Sequence, residues 1–234
     1  LYGSMEGGLH LVDAASGEEQ MVFVPAEILN DTTKSKALVI GQTGLNSPIH
    51  GVDGSWVADP TYNITSTTSG STVTSSVTAR QMNIYGGMRM GGSSYYGLNV
   101  LNPSSPKLLF RVDSSTSGFD RLGQTWSKPV LANIRYGNNI TRVMIVGGGY
   151  DECYESPSFT LASSGDDSTC STRTKAKGNA VYMINAKTGA LIWSATYSST
   201  ATDGKQYMKH SIVSRISTLD RDADGLIDHI YFGD

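Results

Sequence analysis

The sequence is poor in charged residues and has no long apolar runs. Only 17% of its 234 residues are charged, and the formal net charge is −3. This charge balance gives no broad electrostatic reason to expect nucleic acid or an anionic membrane as a partner. No apolar stretch approaches the roughly 20 residues that a membrane-spanning helix requires. We therefore expect neither nucleic acid as a partner nor a membrane span within this chain.

Cysteine is also scarce. The two cysteines, Cys153 and Cys170, bracket a polar segment with the composition of a surface loop. Neither has a histidine or a second cysteine at zinc-ligand spacing, which argues against a zinc site. We predict a disulfide that closes this loop, with a stabilisation of about 3 kcal/mol in the chain-entropy model. A disulfide would indicate an exported protein, whereas two unpaired thiols in a reducing compartment are the alternative.

Glycine is abundant, with 26 residues, and serine and threonine crowd the segments between apolar runs. This balance favours short strands joined by turns over long amphipathic helices. An alternating strand, an Asp or Asn, a turn and a second strand recur three times. The three copies of this hairpin are 9–17 with 21–25, 95–103 with 108–112, and 181–189 with 191–195.

A second kind of strand pair precedes two of these hairpins and recurs at the end of the chain. The pairs are 55–59 with 83–87, 127–134 with 142–148, and 212–219 with 229–233. The repeated unit is thus four antiparallel strands, which is typical of β-propeller blades. We predict an all-β fold in which residues 1–234 form part of a propeller of about three to four blades with truncated ends. A plain β-sandwich is the alternative, although a sandwich does not require such a repeat.

The segment Asp220–Asp228 carries the one motif with a defined chemistry. Asp220, Asp222 and Asp224 alternate, Gly225 permits a sharp turn, and Asp228 occupies position 9. Ca²⁺ is a hard cation that takes six to eight oxygen ligands, and this spacing wraps carboxylates around one point. The carbonyl of Leu226 would supply the ligand at position 7. We predict a Ca²⁺ site with these five residues as ligands.

The loop departs from an EF-hand at position 12, where Tyr231 stands in place of the bidentate Glu. Coordination would then be completed by Asp228 or by water. A solvated acidic turn without an ion is the alternative. Nothing comparable predicts catalysis, because the four histidines are dispersed and no hydrolase or metalloprotease motif is present.

Four segments together resemble the C-terminal propeller of the PilC/PilY family of type IV pilus biogenesis proteins. They are 52–55 (Val-Asp-Gly-Ser), the glycine-rich stretch 86–103, 125–129 (Thr-Trp-Ser-Lys-Pro) and the terminal stretch 220–234. The resemblance runs through nearly the whole chain. The Ala-Lys-Thr-Gly189 turn with Trp193 also resembles quinoprotein propeller repeats, but these are widely shared.

The resemblance implies an exported, non-enzymatic protein at the pilus tip or the outer membrane surface. It implies pilins or minor pilins as partners, a host-surface receptor as a further one, and roles in pilus assembly, adhesion and twitching motility. It also implies that Ca²⁺ at Asp220, Asp222, Asp224, Leu226 and Asp228 regulates the balance between pilus extension and retraction. Two other functions remain open, namely a quinone-dependent dehydrogenase and a non-catalytic scaffold for envelope assembly.

Overall fold

The chain is folded almost entirely into antiparallel β-structure. The computed structural model describes residues 1–155 and 177–234, which contain thirteen strands and two α-helices. The helices are α1, Ala26–Leu29, and α2, Thr32–Ile40. The strands are β1 Tyr2–Gly3, β2 Leu9–Val12, β3 Glu19–Phe23, β4 Trp56–Ser69, β5 Thr72–Gly87, β6 Tyr95–Asn99, β7 Lys107–Val112, β8 Val130–Tyr136, β9 Asn139–Gly147, β10 Ala180–Asn185, β11 Leu191–Thr196, β12 Ser217–Leu219 and β13 His229–Tyr231.

These strands form four sheets in which neighbours in the chain are neighbours in the sheet. The orders are β1-β2-β3, β4-β5-β6-β7, β8-β9-β10-β11 and β12-β13, and every pairing is antiparallel. The all-β fold of four-stranded antiparallel sheets that the repeat predicted is confirmed, and the three repeated hairpins are β2–β3, β6–β7 and β10–β11. No sheet within the described ranges closes on itself. The division of the chain into about three to four blades stays a prediction.

The third sheet is covered on both faces. Val143, Met144, Ile145 and Val146 of β9 are all fully buried. Because successive side chains of a strand point to opposite faces, such a continuous apolar run requires packing on both sides. Val143 and Ile145 belong to one apolar cluster, and Met144 and Val146 belong to another.

Each of the three larger apolar clusters joins two sheets that are consecutive in the chain. The first lies between sheets one and two and includes Leu9, Val52 and Ile84. The second lies between sheets two and three, where Tyr85, Tyr95 and Phe110 pack against Met144 and Tyr182. The third lies between sheet three and the segments around β12 and β13, and includes Val181, Ile212 and Ile216.

A repeated glycine contact brings consecutive sheets together. Gly3 ends β1, Gly87 ends β5 and Gly147 ends β9. A β-carbon at these positions would lie 1.8 Å from the Val52 carbonyl oxygen, 2.5 Å from that of Thr125 and 2.2 Å from that of Ile212, respectively. Val52, Thr125 and Ile212 each lie a few residues before the first strand of the next sheet, β4, β8 or β12. The glycines are therefore required because the backbone of the following sheet occupies the space of a side chain.

Hydrogen bonds reinforce these contacts. The N–H of Arg89 donates to the Thr125 carbonyl at 3.2 Å, and the N–H of Gly149 donates in the same way to Ile212 at 3.0 Å. Ser127 extends the connection further. Its carbonyl accepts a hydrogen bond from the Tyr95 hydroxyl (2.9 Å), and its own hydroxyl donates one to the Ser214 carbonyl (2.8 Å). Sheet two and the segment leading to β12 are thereby joined through one residue of the Thr-Trp-Ser-Lys-Pro motif.

A helical insertion between β3 and β4 was not predicted from the sequence. The side chain of Asp31 caps α2 by accepting from the backbone N–H groups of Lys34 and Thr33, at 3.0 and 2.8 Å. These two hydrogen bonds hold the pKa of Asp31 below its ordinary value. Glu27 on α1 accepts the Ser94 hydroxyl at 2.9 Å, and the Lys34 ammonium donates to the Gly91 carbonyl at 2.7 Å. The helices are thus fixed to sheet two. No helix in the described part of the chain combines the length and the apolar character needed to cross a membrane.

The connection between β9 and β10 contains the cysteine segment. Cys153 is fully buried, in a short 3-10 turn that spans Glu152–Glu155. Cys170 lies outside the described residues, so the predicted disulfide stays a prediction. The insertion falls between two neighbouring strands of one sheet, as the sequence predicted.

The glycine contact yields a test of the fold. Gly147→Ala would place a β-carbon within 2.2 Å of the Ile212 carbonyl oxygen, and backbone atoms cannot move aside without disturbing both sheets. We expect the free energy of unfolding to fall by about 1–3 kcal/mol, measured by urea denaturation. Gly233→Ala is the control, since nothing lies within 4 Å of its β-carbon position, and it should change stability by less than about 0.5 kcal/mol. Equal stabilities of the two variants would contradict this account of the sheet contact.

Candidate metal centre

The predicted calcium loop connects β12 to β13. Its base is closed by a hydrogen bond from the Asp228 N–H to the Leu219 carbonyl at 2.9 Å. A second bond of 2.9 Å, from the Ile227 N–H to the Asn133 carbonyl, ties the loop to β8 in the preceding sheet. Ile227 also packs against the apolar cluster of that sheet, and Leu226 is buried. The loop is therefore anchored at its end by apolar packing and by backbone bonds to two sheets.

Two residues of the loop adopt the left-handed backbone conformation. Gly225 has a φ of 86°, as its predicted role in the sharp turn requires. Ala223 has a φ of 61°, which for a residue with a β-carbon costs roughly 1–2 kcal/mol. This second left-handed residue was not predicted, because alanine gives no signal for it. The two together turn the chain tightly enough for alternate side chains to face one point.

Three carboxylates converge inside this turn. Asp220, Asp222 and Asp224 each offer one oxygen, and the three oxygens all lie within 4.8 Å of one another. Backbone groups orient them: the N–H of Gly225 donates to Asp220 Oδ2 and the N–H of Leu226 to Asp224 Oδ1, both at 2.8 Å. The loop thus holds three like charges at close range, an arrangement that a cation would stabilise.

One atom of the cluster bears directly on whether a cation fits. Asp220 is partly buried, and its Oδ1 is a buried atom that has no hydrogen-bond partner within the described residues. A buried carboxylate oxygen left without a partner is energetically costly. Oxygen ligands of this kind are those that Ca²⁺ prefers. The donor set and its unpaired oxygen therefore fit a hard divalent cation.

The two remaining predicted ligands, Asp228 and the Leu226 carbonyl, do not belong to the cluster of three carboxylates. Asp228 lies at the base of the loop, where its Oδ2 accepts the Arg221 N–H at 2.8 Å, and it is not one of the three converging carboxylates. Leu226 occupies the predicted position in the turn, and its carbonyl remains a predicted ligand. Tyr231, at position 12, belongs to β13 and is 56% exposed. The structure thus brings together three of the five residues that the spacing predicted.

A second cluster connects the segments that carry the family resemblance. The Arg89 guanidinium lies 4.5 Å from the centre of the Trp126 ring and 3.5 Å from Asp53 Oδ2. Arg89 has a φ of 52°. Because the Arg89 side chain contacts both Asp53 and Trp126, the Val-Asp-Gly-Ser segment, the glycine-rich stretch and the Thr-Trp-Ser-Lys-Pro segment meet at one place. The motifs therefore lie where sheet two meets the segment that leads into sheet three, and sequence reasoning missed this because the segments are far apart in the chain.

Two of the four histidines lie beside carboxylates. His10 Nδ1 lies 2.6 Å from Glu19 on the neighbouring strand, and His210 Nδ1 lies 3.3 Å from Asp234. Burial raises the pKa of Tyr95, whose hydroxyl donates to the Ser127 carbonyl in the core. His10, His210 and Tyr95 therefore each have a partner within the fold.

Comparison with known proteins agrees with the resemblance found in the sequence. No family model matches the chain. The chain is 26% identical over 235 residues to the type IV pilus biogenesis factor PilY1 of Pseudomonas aeruginosa (strain UCBPP-PA14), an alignment that covers 99% of this chain and 16% of that protein. Its fold is similar to the crystal structure of the Pseudomonas aeruginosa PilY1 C-terminal domain, with a TM-score of 0.55, 19% identity, and coverage of 99% of this chain and 35% of that one. The resemblance to the PilC/PilY C-terminal propeller is thereby confirmed.

The loop geometry predicts the outcome of a binding experiment. We expect the chain to take up one Ca²⁺ in isothermal titration calorimetry, and Asp222→Ala combined with Asp224→Ala to abolish this uptake. Two of the three converging carboxylates are then lost, while the anchoring residues Leu226 and Ile227 remain. Asp203→Ala is the control, because it removes an exposed carboxylate outside the loop. Unchanged Ca²⁺ uptake by the double variant would contradict the assignment of the ion to this loop.

Proposed function

We propose that this chain is the calcium-binding propeller part of a type IV pilus biogenesis protein at the bacterial cell surface, at the pilus tip or the outer membrane. The observation that carries the proposal is the alignment with the type IV pilus biogenesis factor PilY1, which extends over 99% of the chain. The chain spans 16% of that relative, so the proposal concerns what this part contributes. The convergence of Asp220, Asp222 and Asp224 supports the metal-binding component.

In this proposal Ca²⁺ is held by Asp220, Asp222, Asp224, the Leu226 carbonyl and Asp228. Flexible carboxylates suit the larger Ca²⁺ better than Mg²⁺, which demands a tighter octahedron. The absence of a position-12 Glu gives an affinity on the order of 10⁻⁶ to 10⁻⁴ M. The ion would neutralise the crowded carboxylates and fix the turn. Because the Ile227 N–H bonds to Asn133 on β8, a change in the turn would reach the neighbouring sheet.

The proposed role is non-catalytic, with pilins or minor pilins of the type IV pilus as partners. The chain would promote pilus assembly, oppose retraction and support adhesion and twitching motility, and contact with a host-surface receptor is a further expected activity. Two alternatives have direct tests. A quinone-dependent dehydrogenase would reduce a dye after addition of the quinone and substrate. A scaffold of other envelope proteins would capture those proteins, and not pilins, in a pull-down.

We also propose a disulfide between Cys153 and Cys170, in keeping with an exported protein. Support comes from the burial of Cys153 and from its place in an insertion between β9 and β10. Thiol titration of the denatured but unreduced protein should find no free sulfhydryl, and titration after reduction should find two. Two reactive thiols before reduction would count against both the bond and the oxidising location.

The regulatory role is tested in a bacterium that assembles type IV pili. The double change Asp222→Ala with Asp224→Ala, made in the complete protein, should alter piliation and reduce twitching while the protein level stays the same. Asp203→Ala should leave both at the level of the unmodified protein. Normal motility of a double variant that has demonstrably lost Ca²⁺ would mean that the metal is structural only. Loss of pili in both variants would instead point to a general folding defect.

A further inference from the structure

The hairpin of β4 and β5 extends far beyond the sheet to which it belongs. We refer to residues 61–69 and 72–80 as the ribbon. β6 pairs with β5 only from Asn83 to Gly87, and the Val100 N–H adds one bond to the Met82 carbonyl at 2.8 Å. Beyond this point no described strand lies beside β5 on the side away from β4. Residues 72–80 therefore present a free backbone edge, which is a template for pairing with another strand.

The ribbon has one face that carries its apolar side chains together with Ser66, Ser75 and Thr68, and one face that is wholly polar. The register places Ile64 opposite Val77 and Thr68 opposite Val73 on the first face. Ile64, Val73 and Val77 are 71%, 64% and 63% exposed. The opposite face carries hydroxyls, among them Thr65 and Ser76, whose oxygens lie 2.8 Å apart. The apolar side chains thus stand in water on a strand whose edge is also unpaired.

The usual protection of such an edge is missing. Residues 61–79 contain no charged side chain and no proline. Natural edge strands are normally guarded by charges, prolines or bulges that prevent pairing with another chain. The one bulge lies at Arg80, between the pairs Thr61–Gln81 and Tyr62–Ala79, at the root of the ribbon and not along it. The free edge of β5 is therefore open to strand addition.

The sequence of β5 indicates what adds to it. Residues 72–78 read Thr-Val-Thr-Ser-Ser-Val-Thr. Around Ser75 this stretch is close to palindromic: Thr72 mirrors Thr78, Val73 mirrors Val77, and Thr74 mirrors Ser76. An antiparallel pair of identical strands related by a two-fold axis sets each residue opposite its mirror position. The palindrome therefore makes the strand complementary to itself.

We propose that residues 72–78 of β5 pair antiparallel with the same residues of a second copy, about a two-fold axis at Ser75. The two ribbons then form one four-stranded sheet. Val77 lies opposite Val73 of the second copy on the same face, and each valine already has Ile64 or Thr68 as its partner on β4. Two rows run across the sheet, each made of Ile64, Val77, Val73 and Thr68, and the apolar cross-strand pairs within them are stabilising.

The lack of charge favours a second copy over a different partner. Any charged side chain near a two-fold axis is placed close to its own copy, so self-pairing strands must avoid like charges. A strand that recognised a charged partner would gain from charges of the opposite sign along its length, and the one charged residue of the ribbon is Arg80, at its root. Seven residue pairs span roughly 20–24 Å, and bury less than the roughly 800 Å² per partner of a standard interface. The dimer is accordingly weak, with a dissociation constant on the order of 10⁻⁵ to 10⁻³ M.

Sedimentation equilibrium of the chain over a range of concentrations tests the proposal. The unmodified chain should show a monomer–dimer equilibrium, and Ser75→Lys should raise the dissociation constant roughly ten-fold or more, because two ammonium groups meet at the axis. Ser66→Lys is the matched control. Ser66 lies opposite Ser75 on the same face, both are exposed, and both substitutions remove the same 2.9 Å hydroxyl contact. Only Ser75 stands on the pairing strand, so the control should dimerise nearly as the unmodified chain does.

Charge complementation and cross-linking complete the test. Ser75→Lys and Ser75→Glu should each dimerise more weakly than the unmodified chain, and an equimolar mixture of the two should dimerise more strongly than either variant alone. Ser75→Cys should form an intermolecular disulfide on mild oxidation, whereas Ser66→Cys should form far less. Circular dichroism and a thermal melt establish that each variant is folded. A chain that is monomeric up to about 1 mM, or equal effects of the two lysine variants, would overturn pairing through β5.

Discussion

The close approach between a strand-ending glycine and the carbonyl of the following sheet determines how the sheets of this chain are spaced. It recurs at Gly3, Gly87 and Gly147, each beside a residue that leads into the next sheet. With the backbones in contact at this point, the side chains farther along the strands are brought together to form the three apolar clusters. The metal loop depends on the last of these contacts, because Ile212 is followed directly by the segment that forms β12.

Much of the fold could be predicted because its signals are local. The Asn185–Gly189 turn predicts the hairpin β10–β11. The apolar run Val143–Val146 indicates a strand that is covered on both faces, but it does not show which sheets cover it, since those lie elsewhere in the chain. Residues 61–80 are rich in serine and threonine and lie outside the strand pairs that the repeat predicts. In the folded chain they belong to one long hairpin, whose register is interrupted only by the bulge at Arg80.

The candidate site likewise has some features that the local sequence predicts and others that only the tertiary structure shows. The alternate spacing of Asp220, Asp222 and Asp224 could be read directly, because a ligand loop of this kind is encoded within nine residues. The burial of Asp220 Oδ1 and the hydrogen bond from Ile227 to Asn133 could not be predicted, because both depend on how the loop packs against β8. Nor could the meeting of Arg89, Trp126 and Asp53, which is a contact between segments some 35 residues or more apart. The sequence pattern therefore does not predict contacts that depend on the tertiary arrangement.

The order of the apolar clusters has a consequence for how the chain reaches its folded state. Each of the larger clusters joins a sheet to the next one along the chain, so a sheet can be completed once its immediate successor has emerged. Repeat architectures with such nearest-neighbour coupling can nucleate in one unit and propagate. A chain that folds in this way needs no contact between its distant ends to begin folding. That property suits a polypeptide delivered progressively from one end, since the hairpins already delivered can pack while the remainder is still extended.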